Sequence, residues 1–240
     1  MSKKVTNPNQ KSSAGFIGAI VAVVVIVAAV IAYIVINGQG AAAAKFADRE
    51  FKQVNAEMKY EGDTLTFGDA SSAPHVELYE DFSCPHCAHL AEATDAEALE
   101  EINAGNLAVT IHPMTFLDNQ GDGHSTQAVA ALLALAEHDE PAALWNLREA
   151  MFENQQDIAH SWSADDYADA AAQLQASDEA VADIRSGKFL EKAAEAGEKN
   201  GKDLESKVGQ VSTPRVLMDG KDLEVGENIN DWVKVAVASK

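Results

Sequence analysis

Two cysteines are all this 240-residue chain has, and they stand together as Cys84-Pro85-His86-Cys87, directly after the apolar run 76–82. A disulfide between them closes a very short loop, which constrains the unfolded chain by only about 2 kcal/mol. Such a pair is a weak staple and suits reversible exchange. At the mouth of a helix, backbone N–H groups and the positive helix end hold one sulfur as thiolate, the species that attacks and leaves in thiol–disulfide exchange. His86, in the first turn, can hydrogen-bond that thiolate or attract it as a cation. A second chemistry competes for the same residues. Cys84, His86, Cys87 and His89 fall within six positions, and a zinc or copper carrier needs four convergent ligands of this kind. His112 and His124 are isolated and read as surface residues rather than additional ligands. Redox use is the favoured reading, with no bound metal and no cofactor beyond the Cys84–Cys87 disulfide itself.

The neighbouring segments supply what such a pair needs. The run 76–82 predicts a strand, and Pro85 suits the first turn of the helix that follows, where its missing N–H costs nothing. That helix runs to about Asn103 and stops at Gly105. The run 107–114 predicts a second strand parallel to the first, because a helix of that length connects them. A short strand is expected at 64–67, ahead of the turn-rich stretch 68–74. From Ser125 to about Asn200 the period becomes helical, and Ser163 with Asp166 resembles a capping box. Beyond that lie Thr213-Pro214, a strand at 215–218, the turn Asp219-Gly220, a return strand at 223–225 and a last amphipathic helix at 228–238.

Residues 16–36 are uncharged and apolar, about 31 Å long as a helix, which is enough to cross a bilayer core. Lys3, Lys4 and Lys11 precede them and no acidic residue occurs before Asp48. The positive-inside bias therefore predicts a cytoplasmic N-terminus at 1–15, a transmembrane anchor at 16–36 and an exported remainder. A signal peptide cleaved near 41–44 is the competing expectation, but the apolar run exceeds the usual signal length. Fifteen basic and thirty-eight acidic residues follow the span, a formal charge of −23. That surplus excludes nucleic acid as a partner. Residues 37–63 read as a tether, partly helical over 46–58; residues 64–118 and 206–240 read as one domain, and 119–205 as an all-helical insertion.

The segment Leu78-Tyr79-Glu80-Asp81-Phe82-Ser83-Cys84-Pro85-His86-Cys87, joined to Ser212-Thr213-Pro214 before a hairpin, resembles the DsbA-like branch of the thioredoxin fold. Ser125, Ala130, Trp145, Leu147, Phe152 and Gln155 add weaker agreement within the insertion. These are thiol–disulfide oxidoreductases of the bacterial envelope. The resemblance implies an α/β thioredoxin fold with an inserted helical subdomain, Cys84 as attacking sulfur, Cys87 as buried resolving sulfur, and a cis Thr213–Pro214 bond beside them. It associates Pro85-His86 with oxidising members that act on unfolded exported proteins and are reoxidised by a quinone-linked membrane enzyme. Reductase or isomerase activity of the same fold is the alternative. Two positions depart from the pattern. Leu78 stands where a buried proton-relay acid is common, leaving Glu80 and Asp81, of which strand alternation turns one inward. Ser212 stands where glycine is frequent.

Overall fold

A computed structural model describes residues 46, 49–118, 123–159 and 161–239. The expected cytoplasmic segment 1–15 and anchor 16–36 lie outside the described residues, among which no helix is long and apolar enough to cross a membrane.

Six strands form one sheet: β1 (Met58–Tyr60), β2 (Leu65–Phe67), β3 (His75–Asp81), β4 (Ala108–Met114), β5 (Arg215–Met218) and β6 (Lys221–Asp222), in the spatial order β1-β2-β4-β3-β5-β6. β3 and β4 are parallel, with Leu78 opposite Ile111 and Asp81 opposite Met114. Helix α1 (Pro85–Asn103) makes the crossover between them, as a parallel pair requires. Gly105, at φ +72°, takes the left-handed turn that ends this crossover. All other pairings are antiparallel. Between β4 and β5 stand six helices: α2 (His124–Glu137), α3 (Pro141–Glu153), α4 (Gln155–Ile158), α5 (Ala164–Gln173), α6 (Asp178–Arg185) and α7 (Leu190–Val208). Ser163 opens α5, its backbone N–H and hydroxyl both donating to Asp166 at 2.7 Å. After the β5–β6 hairpin, a short 3-10 turn (Ile229–Asp231) leads into α8 (Trp232–Ala238), whose Trp232 indole donates to the Thr94 hydroxyl of α1 at 2.9 Å.

Both faces of the central strands are covered. Val76 and Leu78 of β3 join the large core with α1 and the helical insertion. Tyr79 packs on the opposite face with Met114, Leu204 and Leu217, beneath α7. This double burial corrects the expectation that only one of Glu80 and Asp81 turns inward. They point to opposite faces, as alternation demands, yet Glu80 is 2 % and Asp81 0 % exposed, because each face has its own helical layer.

The region read as a tether also differs from expectation. Residues 50–57 contain no helix, and 58–60 are the edge strand of the sheet. Asn146 of α3 binds Lys52 on both backbone sides, accepting from its N–H at 2.9 Å and donating to its carbonyl at 2.8 Å. Asn103 does the same for the stretch after it, accepting from Asn55 N–H and donating to the Gln53 carbonyl. A backbone satisfied in this way by side chains has no need of helical hydrogen bonds.

Candidate active site

The end of β3, the first turn of α1 and the turn before β5 bring Cys84, Pro85, His86, Cys87, Thr213 and Pro214 together. Asp81 closes the strand with a tight turn, its carbonyl accepting from Cys84 N–H at 2.9 Å. Cys84 then occupies the N-cap of α1, with φ −87° and ψ 114°, and Pro85 takes the first helical position. The Cys84 carbonyl accepts the first helical bonds, from Cys87 N–H at 3.0 Å and Ala88 N–H at 3.3 Å. Across the site, the Cys84 sulfur lies 3.4 Å from the Thr213 carbonyl, and the Thr213–Pro214 bond is cis.

Both sulfurs are free thiols, and their surroundings differ. Hydrogen bonding from the Cys87 thiol is the largest influence on Cys84; Thr213 and the backbone N–H groups of Cys87 and His86 assist it against desolvation, and its pKa falls to about 5. Cys87 is driven strongly upward, first by burial and then by the neighbouring Cys84 sulfur. At neutral pH the pair therefore holds one thiolate and one thiol. Cys84 is nevertheless only 6 % exposed, less open than a sulfur at a bare helix end, because the Thr213 turn lies over it. His86 contributes through its backbone N–H, while the residue as a whole is exposed.

The two acidic neighbours have separate environments. Glu80 receives a bidentate pair from Arg148 of α3, at 2.7 and 2.6 Å, and Arg148 also donates to Asp95 of α1 at 2.5 Å. Asp81 accepts from the Ser125 hydroxyl at 2.5 Å, Ser83 N–H at 2.9 Å and Leu117 N–H at 3.2 Å. Burial, opposed by these neutral donors and reinforced by the charge of Asp118, pushes its carboxyl up to about 6. What touches the Cys87 sulfur is the Asp81 backbone N–H, at 3.5 Å.

The metal-carrier geometry does not assemble. Among the described residues no three His, Cys, Asp or Glu side chains converge on one point. His86 and His89 lie 6.4 Å apart between ring centroids, and both residues are exposed on α1. His112 and His124 are buried rather than surface residues: His112 stacks on Tyr79 at 4.2 Å, and His124 pairs with the Tyr167 hydroxyl at 2.5 Å. A cleft of about 840 Å³, lined among others by His75, Glu77, Thr110 and Lys207, includes neither sulfur.

A family model described as Thioredoxin matches residues 60–235. Among solved structures, the chain is 38 % identical to the MdbA protein, a thiol-disulfide oxidoreductase from Corynebacterium diphtheriae, over 80 % of this chain and 98 % of that one, with a TM-score of 0.75. The corresponding protein from Corynebacterium matruchotii is 33 % identical over 81 % of this chain and 98 % of that one, with a TM-score of 0.76. The MdbA protein from Actinomyces oris, 19 % identical over 75 % of this chain and 89 % of that one, shares the fold, with a TM-score of 0.61. No curated protein sequence matches the chain.

Proposed function

The chain belongs to the thioredoxin family, among its DsbA-like thiol–disulfide oxidoreductases, and from that premise we propose that it introduces disulfides into exported proteins. The observation that carries this reading is the asymmetry of the sulfurs: Cys84 is surrounded by groups that favour its thiolate, and Cys87 is buried as a thiol. In the oxidised enzyme a substrate thiolate attacks the Cys84 sulfur. The Cys84–Cys87 bond breaks, and Cys87 leaves with the electron pair and takes up a proton. A second substrate thiolate then attacks the substrate sulfur of the mixed disulfide and expels Cys84. The substrate departs with a new disulfide, and the enzyme is left as a thiolate and a thiol. A thiol of low pKa is the better leaving group, which drives this final step toward oxidised substrate.

His86 supplies a backbone N–H to Cys84, and Pro85 starts the helix without removing a needed donor. Thr213 and Pro214 form the opposite wall, where an extended substrate segment can lie beside the sulfur. Two electrons, and the one proton held on Cys87, must leave the enzyme after each turnover, to a quinone-linked membrane reoxidase. The apolar run 16–36 as a retained anchor, with Lys3, Lys4 and Lys11 on its cytoplasmic side, would hold the catalytic domain outside the cell membrane. No metal or other cofactor takes part beyond the redox disulfide.

Non-reducing gels of cells expressing each cysteine variant test the assignment. Cys87→Ser should trap mixed disulfides with exported proteins, since nothing remains to resolve them, whereas Cys84→Ser should trap none. Equal trapping by both variants would overturn the roles.

A further inference from the structure

Three side chains of the helical insertion meet the segment that leads to the sulfur. Arg148 clasps the Glu80 carboxylate, Phe152 stacks on Phe82 at 4.5 Å, and Gln155 reaches the next level. Arg148 and Phe152 belong to α3 and Gln155 to α4, while Phe82 and Cys84 lie in the turn that joins β3 to α1. Gln155, 6 % exposed, spends both amide hydrogens on this segment, donating to the Phe82 carbonyl at 2.8 Å and the Cys84 carbonyl at 3.0 Å.

We propose that Gln155 is a positioning residue for the redox reaction, through which the inserted subdomain holds the Cys84 backbone and keeps the attacking sulfur over the N–H groups of α1. The proposal rests on the reading of Cys84 as the attacking sulfur. Its physical basis is the N-cap geometry. Rotation about Cys84 ψ swings the carbonyl and the helix entrance relative to the sulfur, so a carbonyl fixed from outside the helix fixes the alignment of Sγ with the His86 and Cys87 N–H groups. Two α1 N–H groups already bind the same carbonyl, but they move with the helix. Gln155 ties the carbonyl to a separate body. Without its amide, the Phe82 and Cys84 carbonyls each lose a buried donor, and the first turn of α1 is free to shift against the sulfur.

The test follows alkylation of the reduced full-length chain by iodoacetamide across pH 4 to 9, with denaturant unfolding measured alongside. Gln155→Met keeps the volume and removes both donors. It should slow alkylation near pH 4 by roughly three- to tenfold and leave the rate near pH 9 unchanged, as the Cys84 midpoint moves up. Gln155→Glu, with an anion in place of the donors, should move the midpoint further in the same direction and serves if the methionine variant does not fold. Leu147→Ala, a buried change on the preceding helix α3 away from these contacts, should lower stability without moving the midpoint. Profiles of both Gln155 variants that superimpose on wild type would overturn the proposal, as would an equal shift in Leu147→Ala. The cysteine-variant gels remain a separate readout, so the oxidase reading can fail there while the alkylation profiles still decide the role of Gln155.

Discussion

Glu80 and Asp81 are adjacent on one strand and equally hidden from solvent, but the two faces of the sheet treat them differently. On the face covered by α1 and α3, Glu80 meets a guanidinium that it shares with Asp95. The cation's company is rich: Arg148 also lies over the rings of Trp145 and Phe152, at 5.3 and 5.2 Å. On the other face, Asp81 accepts from the Ser125 hydroxyl at the start of α2 and from the backbone N–H groups of Ser83 and Leu117, with no cation beside it among the described residues. A paired charge ties elements together and depends heavily on its partner, whereas a carboxyl held by neutral donors retains the freedom to change its charge. The α3 face thus braces the strand behind Cys84, and the other face places a titratable group three residues before it.

Removing the cation should break this contrast most severely. Arg148→Met leaves two carboxylates buried without compensation and should cost about 3 to 5 kcal/mol in denaturant unfolding at pH 7. Asp95 is already pushed up to about 7 by burial against the pull of Arg148, so the loss should shrink at pH 5, where Asp95 accepts a proton. A loss below about 1 kcal/mol would reduce the triad to the standing of a surface ion pair.

A smaller effect sharpens the other side. Asp81 titrates near 6 in the folded chain against an ordinary value of 3.8, so the folded state holds its proton while the unfolded state releases it. Its contribution to stability therefore falls as pH rises from about 4 to about 6 and is level above that. Relative to Asp81→Asn, which has no such proton, wild type should lose about 2 to 3 kcal/mol across that window. Parallel stability profiles for the two proteins would mean that Asp81 is ionised throughout and that the faces are more alike than their donors indicate.

The local parts of this site were legible in the sequence. Cys84 and Cys87 after an apolar run, Pro85 at a helix start, Gly105 at its end and Thr213-Pro214 before a hairpin each announce themselves within a few residues. What could not be read depends on contacts between distant segments. The alternation rule assumes one wet face, and it missed the joint burial of Glu80 and Asp81 because the sheet has helices on both sides. Arg148 and Gln155 look like ordinary polar residues of helices until those helices are packed against the end of β3 and the turn that follows it. Ser125 enters the family resemblance only as one of its weaker matches, and nothing near it in sequence points to Asp81. The strand 58–60 is too short for periodicity to distinguish from coil, and the isolation of His112 and His124 along the chain concealed their aromatic partners.

The unequal sulfur pair is the centre of the account, and the most direct measurement is the thiolate absorbance of the reduced wild-type chain near 240 nm, titrated from about pH 3 to 10, with Cys84→Ser as the reference. The account predicts one transition near pH 5, belonging to Cys84 and absent from the reference, and no further thiolate from Cys87 up to the end of the range. A wild-type transition near the ordinary thiol value of 9, or one near 5 that survives in Cys84→Ser, would contradict it.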